Sequence, residues 1–239
     1  MSGVIGFVRV IDAIEASLAA HDWPYARERK REIAAHFAAA KAAQPSLFNG
    51  RIYLARSRRY TDAGRRLQVE VFESDYATFL NWRADGYPGE GTANVFSMAA
   101  IQGEDGPFVL AEMAGHTANA GKIYFPSGTP DGKDAKDGVL DLGASAAREL
   151  AEETGLSADD VEVAPGWIVI EDGPRLACMK PMRLKMPAEE AKRRIEAFLS
   201  GEKDPELAAV HVARDLADLE RLKPSPFVAL HIRYAWAAG

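Results

Sequence analysis

The chain has 239 residues, of which 47% are apolar and 27% charged, with a formal net charge of −6 and a single cysteine. This length suits one large domain or a core domain with a smaller one, and the apolar share predicts a packed core. The acidic balance, with no long basic run, argues against duplex nucleic acid as a partner, because phosphate neutralisation needs clustered lysine and arginine. The lone Cys178 excludes an internal disulfide and a cysteine-based zinc site, and its expected role is buried packing.

The apolar N-terminal stretch is interrupted by Arg9, Asp12 and Glu15, so it lacks the h-region of a signal peptide. No apolar run approaches the roughly 18 residues of a membrane span. The expectation is a cytoplasmic protein with no membrane partner. Residues 3–11 read as a strand. Residues 24–43 read as a helix, stopped at Gln44-Pro45-Ser46. Residues 49–57 and 65–73 read as paired strands. Residues 74–83 read as a helix with Ser74 as its N-cap. The Gly/Pro-rich stretch 86–92 is the expected boundary between an N-terminal α/β subdomain, 1–92, and a second domain, 93–239.

Three strands are expected at 94–102, 107–114 and 122–126, with a hairpin turn at 103–106. Residues 127–138 form a long polar, glycine-rich loop. A helix follows at about 144–154, closed by Gly155. Strands near 160–171 and 175–185, a helix at 187–200 with proline at its start, a strand near 208–214 and short helices complete the chain. Interleaved strands and helices of this kind predict an α+β fold, an α/β/α sandwich around a mixed sheet.

The helix at 144–154 carries the chemistry. Glu149, Glu152 and Glu153 stand at i, i+3 and i+4, so they share a face. Like charges so placed are unfavourable by roughly 0.2–0.5 kcal/mol per pair, and the helix C-terminus disfavours anions further. Arg148 can offset part of this by pairing with Glu152. A solvated acidic face is the bland reading. A divalent cation is the functional one, since Mg²⁺ and Mn²⁺ take carboxylate oxygens while also binding substrate phosphates.

The stretch RELAEETGL, with Arg148, Glu149, Leu150, Glu152, Glu153, Gly155 and Leu156 in place, resembles the second half of the Nudix box, R-E-U-x-E-E-x-G-U, where U is a bulky aliphatic residue. The resemblance spans about residues 93–215. Upstream the chain departs from the box. Leu140 stands where the box has a glutamate, and Asp134 stands where it has a glycine. Gly128 is the nearest substitute for that glycine, and Asp137 and Asp141 are candidates for the missing acid, with helix capping as the alternative role of Asp141.

The resemblance implies a Nudix-like hydrolase that cleaves a nucleoside diphosphate linked to another group, with Mg²⁺ or Mn²⁺ held by Glu149, Glu152 and Glu153. Glu152, Glu153 and Arg148 form the implied catalytic set, Arg148 orienting the glutamates. Glu202, Asp204 and Glu206 are candidates by position for the proton acceptor, Glu206 among the catalytic residues. Lys122, Gly128 and Arg175 are expected at the substrate, with Arg183, His116, Tyr124, Phe125 and Trp167 as further candidates. Trp82 and Tyr87 contribute only if the N-terminal region folds over the pocket. The expected partner is a small nucleoside diphosphate derivative, with a nucleotide sugar or ADP-ribose-like substrate favoured. By analogy, the N-terminal region shapes the pocket or forms a homodimer contact. The competing readings are a non-catalytic nucleotide-binding or regulatory module on the same fold, and an unrelated α/β protein.

Overall fold

The structure, a computed structural model, describes residues 7–238. Residues 3–6 of the expected first strand therefore lie outside the described residues. The elements in chain order are β1 (Phe7–Ile11), β2 (Ala13–Leu18), α1 (Pro24–Glu28), α2 (Lys30–Ala43), β3 (Arg51–Thr61), β4 (Arg66–Asp75) and α3 (Tyr76–Ala84). β5 (Asn94–Gln102), β6 (Phe108–Met113), β7 (Ile123–Tyr124), β8 (Ser127–Gly128), β9 (Ala135–Lys136), β10 (Val139–Leu140) and α4 (Leu142–Thr154) follow. The chain ends with β11 (Val161–Val163), β12 (Trp167–Asp172), β13 (Arg175–Leu184), α5 (Ala188–Gly201), β14 (Leu207–Ala213), α6 (Leu216–Leu222) and α7 (Pro226–Ala238).

The fold is α+β, built on two mixed sheets. The larger has the order β1-β12-β13-β5-β6-β14, with β11 on β13, β7 on β6 and β8 on β5. Only β13 and β5 run parallel within it. The smaller has the order β3-β4-β2-β10-β9, with β2 and β4 parallel. Side chains alternate between faces along a strand, and β5 uses both faces. Val95 joins the core shared with the smaller sheet, together with Leu67, Val71, Leu140 and Cys178. Phe96, on the other face, meets Phe227 of α7. Ile101, further along, shares a small internal space with Thr154 of α4 and Ile195 of α5. Double-sided burial explains why β5 reads as an unbroken apolar run. Cys178 is buried as expected.

Several local expectations shift. The expected helix over 24–43 is two helices, broken at Arg29, whose backbone leaves helical geometry. Asp75, not Ser74, caps α3, because β4 continues through Ser74 and the Asp75 carboxylate accepts from Thr78 N at 2.9 Å. The polar loop at 127–138 contains β8 and β9. The β9–β10 hairpin turns on Asp137 and Gly138, both at positive φ, the geometry that Asp-Gly supplies in a two-residue turn. β10 pairs with β2, and β1 pairs with β12, so the segments before and after residue 92 each lend strands to a sheet built mainly from the other. No helix among the described residues is long and apolar enough to cross a membrane.

Candidate active site

α4 is fixed at both ends. Asp141 accepts hydrogen bonds from Gly143 N and Ala144 N, each at 2.9 Å, and Gly155 adopts the left-handed conformation at φ 68°. Ala146 and Leu150 are buried in the core, which turns Glu149 and Glu153 inward rather than toward bulk water. Glu153 is only 5% exposed, whereas the side chain of Glu152 is half exposed.

Arg148 sits among carboxylates. It bonds Glu149 at 2.9 Å, Glu152 at 2.9 Å, and both oxygens of Asp134 at 3.2 and 2.9 Å. Asp134 is itself buried, and the β9–β10 hairpin places it there through Asp141 N donating to Asp134 O at 2.9 Å. Neither Asp137 nor Asp141 reaches Arg148, and Asp141 takes its alternative role as a cap. Asp137 forms the hairpin turn, Asp141 caps the helix, and Leu140 is buried in the core shared by the sheets. Asp134, which sequence reasoning placed at the position of a glycine, supplies the carboxylate that holds Arg148.

Glu149, Glu152 and Glu153 line a cavity of about 180 Å³ together with Glu202, Asp204 and Glu206 from the segment after α5. The structure thus brings the helical acids and the three expected proton acceptors to one place. Burial pushes the Glu153 carboxyl up to about 9, with Glu149 and Glu206 adding repulsion and a hydrogen bond from the Ser127 backbone opposing it. Burial likewise raises Glu149 to about 7, against the pull of Arg148. As the side chains stand, no three His, Cys, Asp or Glu residues among those described are gathered closely enough to hold a metal ion. The donor set nevertheless fits a hard divalent cation. All donors are carboxylate oxygens, and the buried Oε2 of Glu153 has no hydrogen-bond partner among the described residues. Two desolvated, mutually repelling carboxylates call for a proton or a cation.

Gly128 packs against Glu149, which walls this cavity. A Cβ there would come within 2.0 Å of Glu149 Oε1, so only bare backbone lets Glu149 take its place. On its other side Gly128 lines a larger cavity of about 470 Å³, which also contains Lys122 and Arg175. Arg83 and Tyr87, from the N-terminal region, line it too. Asn119 Oδ1 accepts from Lys122 Nζ at 3.2 Å and from Arg83 Nη1 at 3.4 Å. Among the described residues neither cation has a carboxylate within ion-pair range. Burial and then the neighbouring Arg83 and Arg175 charges lower the Lys122 ammonium below its ordinary range.

The remaining candidates divide. Tyr124 lines the larger cavity. His116 lines a neighbouring space that shares Asp204 and Glu206 with the acidic cavity. Trp82 is buried and stacks edge-on against Tyr87 at 4.8 Å. Three further candidates take structural places instead. Phe125 is buried between Phe108 and His231, Trp167 lies under Lys180, and Arg183 bonds the backbone oxygen of Glu104 at 2.6 Å. Arg83, Asn119 and Asp134 were missed, because none belongs to a sequence pattern and each depends on contacts made across the fold.

No protein-family profile matches the chain, nor does any curated protein sequence. Among solved structures, the chain is similar to a Nudix hydrolase from M. smegmatis, at 14% identity and a TM-score of 0.39, over 60% of this chain and 83% of that one. It is also similar to a Nudix hydrolase from Nitrosomonas europaea, at 16% identity and a TM-score of 0.41, over 62% of this chain and 90% of that one. A third is the Nudix domain of Shewanella oneidensis NrtR complexed with ADP ribose, at 13% identity and a TM-score of 0.40, over 66% of this chain and 97% of that one. At such identities and scores, the functional reading rests on the chain's own residues.

Proposed function

We propose that the chain is a Nudix-type, Mg²⁺- or Mn²⁺-dependent hydrolase of a nucleoside diphosphate joined to a second group. The carrying observation is the juxtaposition of two cavities across Ser127–Gly128. One is walled by Glu149, Glu152, Glu153 and Glu206, and the other holds Lys122 and Arg83 beside aromatic side chains. A diphosphate carries negative charge along its length and a planar base at one end. The paired cavities offer complementary chemistry to each part.

In this reading Lys122 and Arg83 bind phosphate oxygens, while Tyr87 and Phe227 flank the ring. Glu149, Glu152 and Glu153 hold the divalent ions. When bound, such ions neutralise the diphosphate and make a coordinated water acidic. Arg148, clamped by Asp134, keeps the glutamates in position. Glu206 accepts the proton from the attacking water, whose oxygen forms a new bond to phosphorus as the P–O bridge breaks. Phosphoryl transfer of this kind depends mainly on positioning and charge stabilisation. Residues 1–92 act as a substrate-side subdomain, through Arg83 and Tyr87. A nucleotide sugar or an ADP-ribose-like molecule is the favoured substrate class, and a reducing cytoplasm the favoured setting.

The test is turnover, with Mg²⁺ or Mn²⁺, of a panel of nucleotide sugars, ADP-ribose, coenzyme A, dinucleoside polyphosphates and nucleoside triphosphates, repeated with Glu152→Gln and Glu153→Gln. Cleavage that disappears in the variants supports the reading. Tight binding without turnover of any panel member moves the chain to the binding-module alternative.

A further inference from the structure

The larger cavity is lined by two neighbouring residues that each bury an unsatisfied polar atom. Asn94 opens β5 and Arg175 opens β13, and they are direct partners in the parallel pairing of the two strands. Both line the cavity. Asn94 is buried, and its Oδ1 accepts from no group among the described residues. The Nε of Arg175 is buried and donates to no group among the described residues. The guanidinium is already paired through Nη2 with Asp172, so its charge is largely spoken for. A buried donor and a buried acceptor without partners behind a cavity wall each carry a desolvation penalty, which a ligand of matching pattern removes once the two side chains turn toward it.

We propose that Asn94 and Arg175 form a base-reading subsite, taking the hydrogen-bonding edge of the substrate's nucleobase and not its phosphates. This assignment rests on the nucleotide substrate proposed above. An ionised phosphate offers acceptors only. It would satisfy Arg175 Nε but leave the Asn94 oxygen unpaired and face the Asp172 carboxylate. A nucleobase edge presents an N–H beside a carbonyl or ring nitrogen, the complement of the pair. The walls suit a flat ring. Phe227 lies 5.9 Å below the Arg175 guanidinium and 5.4 Å from Phe96, and Tyr87 stands opposite Trp82 at φ 62°. The phosphate-binding role is left to Lys122 and Arg83, which lack carboxylate partners among the described residues.

The test is binding to the full-length protein in EDTA, by calorimetry, of AMP, UMP, GMP and ribose 5-phosphate. Two variants are compared with the wild type. Asn94→Leu removes the acceptor at similar volume, and Arg175→Lys keeps a cation while removing Nε–H. The wild type is expected to prefer at least one nucleotide over ribose 5-phosphate. Each variant is expected to cut that preference by about tenfold, with ribose 5-phosphate affinity unchanged. An unchanged preference in both variants overturns the assignment alone. So does an equal loss for nucleotide and ribose 5-phosphate, which would place Arg175 on phosphate. Failure of every nucleotide to bind the wild type overturns both the assignment and the substrate reading.

Discussion

Replacing Glu153 with glutamine removes a charge while keeping the shape. Glu153 is 5% exposed, and burial with the neighbouring acids raises its carboxyl from 4.5 to about 9. A raised carboxylate binds its proton more tightly in the folded than in the unfolded chain. Its contribution to stability is therefore complete below about pH 4.5 and is lost as the pH rises through the folded value. Each pKa unit is worth about 1.4 kcal/mol. With the repulsion shared between Glu153 and Glu149, the metal-free wild type is expected to lose roughly 2–4 kcal/mol between about pH 5 and about pH 9 through this group. Glu153→Gln flattens most of that slope. At about pH 9 in EDTA the variant is then the more stable protein, by several degrees in Tm. Added Mn²⁺ restores the wild type at high pH, because the ion replaces the proton, and leaves the variant nearly unmoved. Thermal and urea unfolding at several pH values, with and without Mn²⁺, measure all of this. Parallel pH profiles for the two proteins, or equal stabilisation by Mn²⁺, would refute the reasoning.

Asp134→Ala leaves Arg148 without its buried partner, and breaking such a pair costs about 3 kcal/mol. Urea unfolding should show that loss and kcat should fall, while Asp137→Asn, which removes the charge and keeps the turn, leaves kcat unchanged. Asp141→Ala removes the α4 cap and is expected to cost about 1 kcal/mol, read by the same unfolding assay. Gly128→Ala drives a methyl group into Glu149, so turnover and Mn²⁺ affinity should drop together while the circular dichroism spectrum is retained. Arg83→Ala is expected to raise KM by about tenfold or more with kcat less affected, as for a group that binds substrate and transition state alike.

The acidic helix was legible because its period, its glycine stop and its box residues lie within one continuous stretch. β5 and β6 were legible as apolar runs joined by a turn. The β9–β10 hairpin was not, because strands of two residues carry no alternation to detect, although Asp137-Gly138 is a strong turn signal. Asp134 was hidden for the same reason, since the hairpin alone carries it to Arg148. β2 was lost inside an apolar stretch that looks continuous with β1, yet the two strands enter different sheets. The pairing of Asn94 with Arg175 depends on the register of two parallel strands separated by a long crossover, which no local pattern encodes. Ser74 and Asp75 are both competent caps, and only the true end of β4 decides between them.

The proposed function requires water to attack a diphosphate at the carboxylate platform of α4. Hydrolysis of the best panel substrate in ¹⁸O-labelled water, with Mn²⁺, followed by mass analysis of the products, tests it most directly. One labelled oxygen in a phosphate of one product, absent from the reaction of Glu153→Gln, is the predicted result. No label in any phosphate product, or equal labelling by the variant, would contradict it.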